Sequence, residues 1–531
     1  MTIETPTLSN WSQATCNPAP ASAKTWLGLG VLALPTALLG LDMTLLYLAL
    51  PALAADLQPS STQALWIMDA YGFMIAGFLI TMGSLGDRIG RRRLLMIGGL
   101  TFAAASVMAA CATSPEMLIL SRAVLGVAGA TLMPSTLALI SNMFEVPAQR
   151  ALAIGIWATM FALGMAAGPL VGGILLERFW WGSAFLVALP IVAVLLVAGP
   201  LVLPEYRDPA GGKLDLFSVA LSLLAILPGI YALKDVAKYG IGLGSGCAFI
   251  ASVLFAATFV RRQLRLSHPL LDVRLFSNRA FAVALIILLC GLVSVGGTML
   301  LVTQYLQLVA GFSPLVAGAW MGPPALMMFM AGIGAPLLAR RVKPSLVVGG
   351  ALAFSALGYM LLMFVAPSSG IELLIAGFSL AYLGLGTIAA LGTDLVIATA
   401  PPSKAGSASA MSEMVQELGL ALGVAVLGSL TTIIYRREVL GALPPDLLPP
   451  LSDAVSDSLA AASAIQNALP SGVFELAQSA FVSGLNGAAI VAAFIAVTLA
   501  ILSVVALRDV GVVQSVETAH EIAEGTTGAE R

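Results

Sequence analysis

Apolar stretches of about twenty residues recur along the chain, with short polar breaks between them. A helix needs roughly 20 apolar residues to cross a bilayer. Fourteen runs meet that length, at residues 26–51, 64–85, 94–112, 116–140, 150–174, 180–203, 214–234, 240–260, 280–303, 314–339, 344–366, 371–399, 408–434 and 481–507. The pattern predicts an all-α integral membrane protein. Composition agrees: of 531 residues, 59% are hydrophobic and 10% charged, against roughly 25% charged in soluble domains.

An even number of spans puts both termini on one side, and the placement of Lys and Arg says which. With the N-terminus inside, nineteen of the 25 basic residues fall in cytoplasmic segments. Only Arg178, Lys234, Lys238, Arg436 and Arg437 fall outside, and Arg122 alone lies within a helix. The expected location is a bacterial cytoplasmic (inner) membrane, multi-pass, with both termini cytoplasmic. The first 24 residues lack the basic-then-apolar order of a cleavable leader. The net charge of −2 carries no signal, because position matters more than the sum. Cys16, Cys111, Cys247 and Cys290 form no CxxC pair, and His268 and His520 lie far apart in polar segments, so no metal site is expected.

The organisation predicted is a cytoplasmic tail (1–25), a six-helix bundle (26–203), two inserted helices with a cytoplasmic linker (204–279), a second six-helix bundle (280–507) and a cytoplasmic tail (508–531), acidic from Glu517. Its long outer loop, 435–480, reads either as short amphipathic helices or as a linker. The segment GSLGDRIGRRR joins helices 2 and 3, and Gly334 through Lys343 is its degenerate echo between helices 10 and 11. Those two loops become equivalent if helices 7 and 8 are an insert, which is the internal-repeat logic of secondary transporters.

Ionisable groups inside a membrane are expensive and are functional candidates by default. Asp42 lies nine residues before Pro51, roughly 13 Å from the outer end of helix 1. Arg122 of helix 4 and Asp69 of helix 2 fall in the same layer. An arginine there needs a partner, so the set is either a proton-coupling group or a static charge pair; for Asp69 a further alternative is that it reaches outer water. From the other half come Asp394 near the inner end of helix 12, and Glu413 and Glu417 early in helix 13, four apart and so on one face. Neither helix offers them a basic partner. They fit a cation or proton pathway, or else solvated caps beside Ser407, Ser409 and Ser412.

Gly83, Gly86, Asp87, Arg88, Gly90 and Arg91 form the most specific motif. Glycines permit a tight interhelical turn, and the charges can latch two bundles in one conformation; a merely basic loop is the alternative. In helix 5, Gly164, Gly168 and Gly172 recur every four residues and bare one face for close helix approach. Pro169 among them bends the helix, making this either a flexing element or a rigid seam. Trp66, Trp157, Phe161, Trp320 and Tyr382, with Met160 and Met165, are candidates for a pocket that holds flat, greasy cations.

With these residues in view, the sequence resembles the major facilitator superfamily, and within it the fourteen-helix drug:proton antiporters that export quaternary ammonium compounds and dyes. The resemblance rests on Asp42, Thr44 and Ala49-Leu50-Pro51 in helix 1, on Gly83 to Arg92, on Arg122 and Gly126 in helix 4, and on Gly164, Gly168, Pro169, Gly172 and Gly173 in helix 5. It covers nearly the whole chain. It implies two six-helix bundles with helices 7 and 8 inserted, export rather than uptake, and proton exchange at carboxylates such as Asp42, Asp69, Glu413 and Glu417. Two departures stand out: helix 10 carries no acid, which weighs against dicationic cargo unless Asp394 compensates, and the second basic loop lacks the full glycine–aspartate pattern.

The expectation is a proton-coupled antiporter that exports hydrophobic organic cations by alternating access. Its partners are those cations, protons and membrane lipid, with no nucleic acid, no cofactor beyond the proton gradient, and action as a monomer. The alternative is a proton-coupled permease for a metabolite or lipid-like substrate; an anionic metabolite would favour several basic residues facing the cavity. An enzyme would need a Walker loop, His cluster or zinc spacing that the chain lacks. A non-transporting scaffold is the remaining rival.

Overall fold

The computed structural model describes residues 21–207, 215–266, 269–367, 370–401, 404–445 and 447–507. The tails before residue 21 and after 507, with Cys16, Lys213, His268, His520, Arg508 and Arg531, lie outside the described residues. Among the described residues fourteen helices are long and apolar enough to span a membrane: α1 (Ala23–Leu57), α2 (Ser61–Ile89), α3 (Arg91–Ala110), α4 (Pro115–Met143), α5 (Ala148–Arg178), α6 (Ser183–Val202), α7 (Leu216–Tyr239), α8 (Leu243–Arg265), α9 (Arg279–Val309), α10 (Pro314–Ala339), α11 (Pro344–Leu362), α12 (Ile371–Ala398), α13 (Ser407–Ala442) and α14 (Val473–Ala506). There is no strand among the described residues.

Local chemistry starts these helices where the polar breaks fall. Ser22, Ser114 and Ser313 accept from backbone N–H groups three residues on, and Ser60 with Gln63 forms a reciprocal capping box. Asp215 caps α7 and also pairs with Arg262 of α8 at 3.0 Å, which closes the two inserted helices into a hairpin.

Several ends run past their apolar windows, because intrahelical hydrogen bonding continues wherever neighbours or solvent can satisfy polar side chains. The loop predicted at 435–480 contracts to the residues between Ala442 and Val473. Tyr435 Oη donates to Val455 O at 2.6 Å and Arg436 to Ser456 O at 3.2 Å, so the last turns of α13 lean on the loop. The loop itself forms short helices at Pro449–Asp457 and Leu459–Ala464. Helix α7 likewise extends to Tyr239, which corrects the assignment of Lys234 and Lys238 to an outer segment: both lie within the helix.

Helices α1–α6 pack among themselves, as do α9–α14. The α7–α8 hairpin sits outside, with α7 against α2 and α13 and α8 showing Phe249, Ile250 and Leu254 outward. The bundles meet along α2/α13, α5/α10 and α1/α9. The end carrying the described ends of the chain is the terminal face here, and the end carrying the short helices is the loop face.

Candidate functional site

The seam between α1 and α5 sets the position of the buried charges. A Cβ on Gly164 would strike the Ala37 carbonyl, one on Gly168 would strike Thr44, and one on Gly172 would meet Leu45 at 3.1 Å. Gly40 returns the fit against Phe161 and Met165. The bare face of α5 is therefore spent on α1, which brings Asp42 toward α4.

There Arg122 Nη1 meets Asp42 Oδ2 at 2.8 Å, with the two side chains 2% and 10% exposed. Its Nε donates to Ile67 O at 3.2 Å, and its guanidinium lies 4.4 Å from the ring centre of Tyr71. Arginine, α1, α2 and α4 are thus joined at one point. Asp69, predicted in the same layer, makes a different pair. It is 1% exposed and faces α7, where Lys234 Nζ approaches its Oδ2 to 2.8 Å. The Lys234 ammonium also lies 3.8 Å from the Trp66 ring centre. Lys234 is the buried charge that the sequence reading missed. The signal was present as a lysine five residues before the end of a long apolar helix, but a lysine there can as easily snorkel to water.

A cavity lies between the bundles. Tyr47, Tyr71, Arg122 and Glu417 give it polar spots, and Met43, Met68, Met165 and Met299 give it a soft wall. It holds only about 30 Å³ of space that a water's centre can occupy, room for a couple of waters rather than a drug-sized molecule. Glu417 is 4% exposed, and its Oε2 has no hydrogen-bond partner. Glu413 lies one turn nearer the terminal face and is half-buried, and Asp394 is exposed near that face. Gln416 and Ser412 approach Thr393 at 3.4 Å, so α12 and α13 are stitched beside these two acids. Neither Glu413, Glu417 nor Asp394 has an ion-pair partner among the described residues.

The aromatic candidates are placed elsewhere than the cavity wall. Trp157 is buried and donates to Thr136 Oγ1 at 3.0 Å; Trp66 is taken by Lys234; Tyr382 Oη donates to the Met299 sulfur at 2.9 Å from behind the wall. Phe161 lies against Gly40 in the α1–α5 seam, and Trp320 stands at the break of α10. The cavity's own aromatics are Tyr47 and Tyr71, and of the two methionines predicted, Met165 lines it.

The GSLGDRIGRRR turn is tied within its own half. Asp87 meets Arg91 at 2.6 Å, Arg91 N donates to Tyr206 O at 2.9 Å, Arg92 N to Glu205 Oε1 at 3.1 Å, and Arg92 Nη1 to Leu203 O at 2.8 Å. Gly90 adopts φ +112°, where a side chain would also strike Glu205. Gly83 and Gly86 let Arg91 lie along α2, and Arg88 is exposed. The expected latch between bundles is here an anchor of the α2–α3 turn onto the segment leaving α6.

Contacts between bundles gather toward the loop face. Gln307 Nε2 donates to Leu48 O at 3.2 Å, and a Cβ on Gly173 would meet the Pro314 carbonyl at 2.7 Å. Gly318 sits against the Pro169 carbonyl, and Gly428 against Leu65. Asp457 of the loop accepts from Ser61 N at 2.8 Å and from Lys238 Nζ at 2.6 Å, so it clasps α2 and α7 together.

The family model described as the Major Facilitator Superfamily matches residues 32–424. The chain belongs to that superfamily. It is a multi-pass membrane transporter and not an enzyme. It is 40% identical over 505 residues to the multidrug efflux pump LfrA of Mycolicibacterium smegmatis, covering 94% of this chain and 100% of that one. It is 34% identical to the methyl viologen resistance protein SmvA of Salmonella typhimurium, covering 86% and 93%. Among solved structures, a bacterial homologue of the human lysosomal transporter Spinster shares the fold, with TM-score 0.64 and 17% identity over 92% of this chain and 98% of that one.

Proposed function

We propose that this transporter exports hydrophobic organic cations in exchange for protons, and that Glu417 is the carboxylate for which the two compete. The observation that carries the reading is the charge balance around the cavity. Asp42 is matched by Arg122 and Asp69 by Lys234, whereas Glu417 is buried in the cavity wall with a free oxygen and, among the described residues, no ion-pair partner, the Arg122 of the same cavity being held by Asp42. A lone carboxylate in such a place is either neutralised by a proton or matched by a cation from outside the protein. Methionine and tyrosine around it supply soft contacts and ring faces for a greasy cation. The names of LfrA and SmvA, a multidrug efflux pump and a methyl viologen resistance protein, support the same cargo class and direction.

With the terminal face cytoplasmic, as the basic residues predict, Asp394 and Glu413 lead from the cytoplasm toward Glu417. A cation entering from that side displaces the proton on Glu417. Opening the loop face exposes the site to the outside, where a proton displaces the cation. Because both compete for one group, each lowers the other's affinity by the same factor, and antiport follows.

The test is ethidium transport into inside-out proteoliposomes with a pH gradient, comparing the wild type with Glu417→Gln. The wild type concentrates ethidium, a protonophore collapses the uptake, and the variant is inactive though correctly inserted. Wild-type uptake that ignores the gradient would remove proton coupling, and an active Glu417→Gln would remove Glu417.

A further inference from the structure

We infer that Lys234 of the inserted helix makes Asp69 a fixed counter-charge, so that Asp69 takes no part in the exchange of protons or cargo. The inference rests on the transport reading above and narrows where its chemistry occurs.

Both side chains of the pair are fully buried, at 0% exposure. The lysine ammonium reaches both oxygens of Asp69, at 3.0 and 2.8 Å, and its remaining side is covered by the Trp66 ring at 3.8 Å. The Trp66 ring belongs to an apolar cluster with Phe73, Ile226, Leu227 and Ile230. Protonating Asp69 would strand an ammonium in that setting, and removing one partner of a buried pair is among the most destabilising changes a protein can suffer. The other ionisable groups near Asp69 are Tyr47 of α1 and Arg122 of α4. Arg122 already has Asp42, and a tyrosine supplies no positive charge, so neither can replace Lys234.

The geometry also separates Asp69 from the cargo. Its neighbours Met68, Tyr71 and Gly72 line the central cavity, while Asp69 and Trp66 are turned out of that lining, toward Lys234 of α7. A carboxylate plus an aromatic face is what an organic cation would seek, and here the chain's own lysine fills that place. Lys234 is therefore a positioning residue: it silences one acid and leaves exchange to Glu417 and its neighbours on α13.

The test pairs Asp69→Asn with Asp69→Asn/Lys234→Met, in purified protein and in proteoliposomes. The single substitution leaves a bare ammonium and loses monodisperse, folded protein; the double substitution restores it. The double variant then carries ethidium within twofold of the wild-type rate and releases the same number of protons per ethidium bound. A folded double variant with transport reduced tenfold or more, or with fewer protons released, overturns the inference, as does a single variant as stable as the wild type. Dicyclohexylcarbodiimide, which attacks protonated carboxyls in apolar surroundings, gives an independent reading in unmutated protein. Label on Asp69 in the wild type overturns the proposal, and label on Asp69 only after Lys234→Met supports it. If the wild type moves no cation at all, the transport reading fails, and the stability pattern still decides the fate of the pair.

Discussion

The hydroxyl of Thr44 donates to the backbone carbonyl of Met165 at 2.9 Å. That carbonyl would ordinarily accept from the N–H four residues on, but residue 169 is proline and has none to give. A side chain of α1 thus repairs the hydrogen-bond gap in α5, at the place where a Gly168 Cβ would collide with the same threonine. Proline in a membrane helix is tolerated where a neighbour supplies the missing donor, and here the donor belongs to the partner helix of the seam.

Thr44→Val, nearly isosteric, leaves the part-buried Met165 carbonyl without this donor, a loss of about 1 kcal/mol or more. The midpoint of thermal unfolding in detergent should fall, and Thr44→Ser should recover most of it. An unchanged midpoint in Thr44→Val would show that the repair is not needed.

Gly164→Ala and Gly168→Ala should be far worse than Gly155→Ala on the same helix. The first two place a methyl against the Ala37 backbone and Thr44, while Gly155 has open space within 4 Å. Overpacking of this kind costs about 1–3 kcal/mol or more. The check is the yield of monodisperse protein for the three variants side by side.

Asp42→Asn removes the partner of a buried arginine. We expect a loss of stability of about 3–5 kcal/mol together with loss of ethidium transport, and Asp42→Glu should retain more of both. Transport at wild-type rate in Asp42→Asn would show that the pair is dispensable.

Asp457→Ala unfastens the clasp between the loop, α2 and α7. Its carboxylate and Lys238 are partly exposed, at 17% and 13%, so the effect on overall stability should be modest, about 1 kcal/mol or less. The measurable consequence is conformational. A cysteine introduced at Met43, on the cavity wall, should react faster with a membrane-impermeant thiol reagent applied from the loop face. An unaltered rate would place the closure elsewhere.

Helix number and order were legible in the sequence because a membrane span is declared by one property, a long apolar run, that needs no knowledge of neighbours. The pairing of Asp42 with Arg122 was legible for a related reason: counting residues gives depth, and charges at equal depth seek one another. Depth says nothing about azimuth. Helices that are apolar all round do not reveal which face meets which neighbour, so Trp66 and Trp157 were candidates for a cavity that Tyr47 and Tyr71 line. The same gap hid the Asp69–Lys234 pair, since only the packing of α7 on α2 brings that lysine inside. The GSLGDRIGRRR turn was recognisable by composition, but its charges find Glu205 and the Tyr206 carbonyl, partners without any pattern of their own.

The inserted hairpin is bound to its neighbours by unlike means. Toward α2 it offers the lysine of a buried ion pair; toward α13 it sets Ile226, Leu227 and Ile230 against Ala421 and Ala425, with the Lys238–Asp457 pair at the loop beyond. In a cycle that parts the bundles, the greasy seam is the one expected to slip once Lys238 releases Asp457, and α7 and α8 would then travel with α1–α6. The rocking bodies are then unequal, eight helices against six, and the larger carries a lipid-facing flank like a keel. Such a flank would push annular lipid aside as the bodies rock, so the rate of transport should depend on the viscosity and lateral pressure of the bilayer around it.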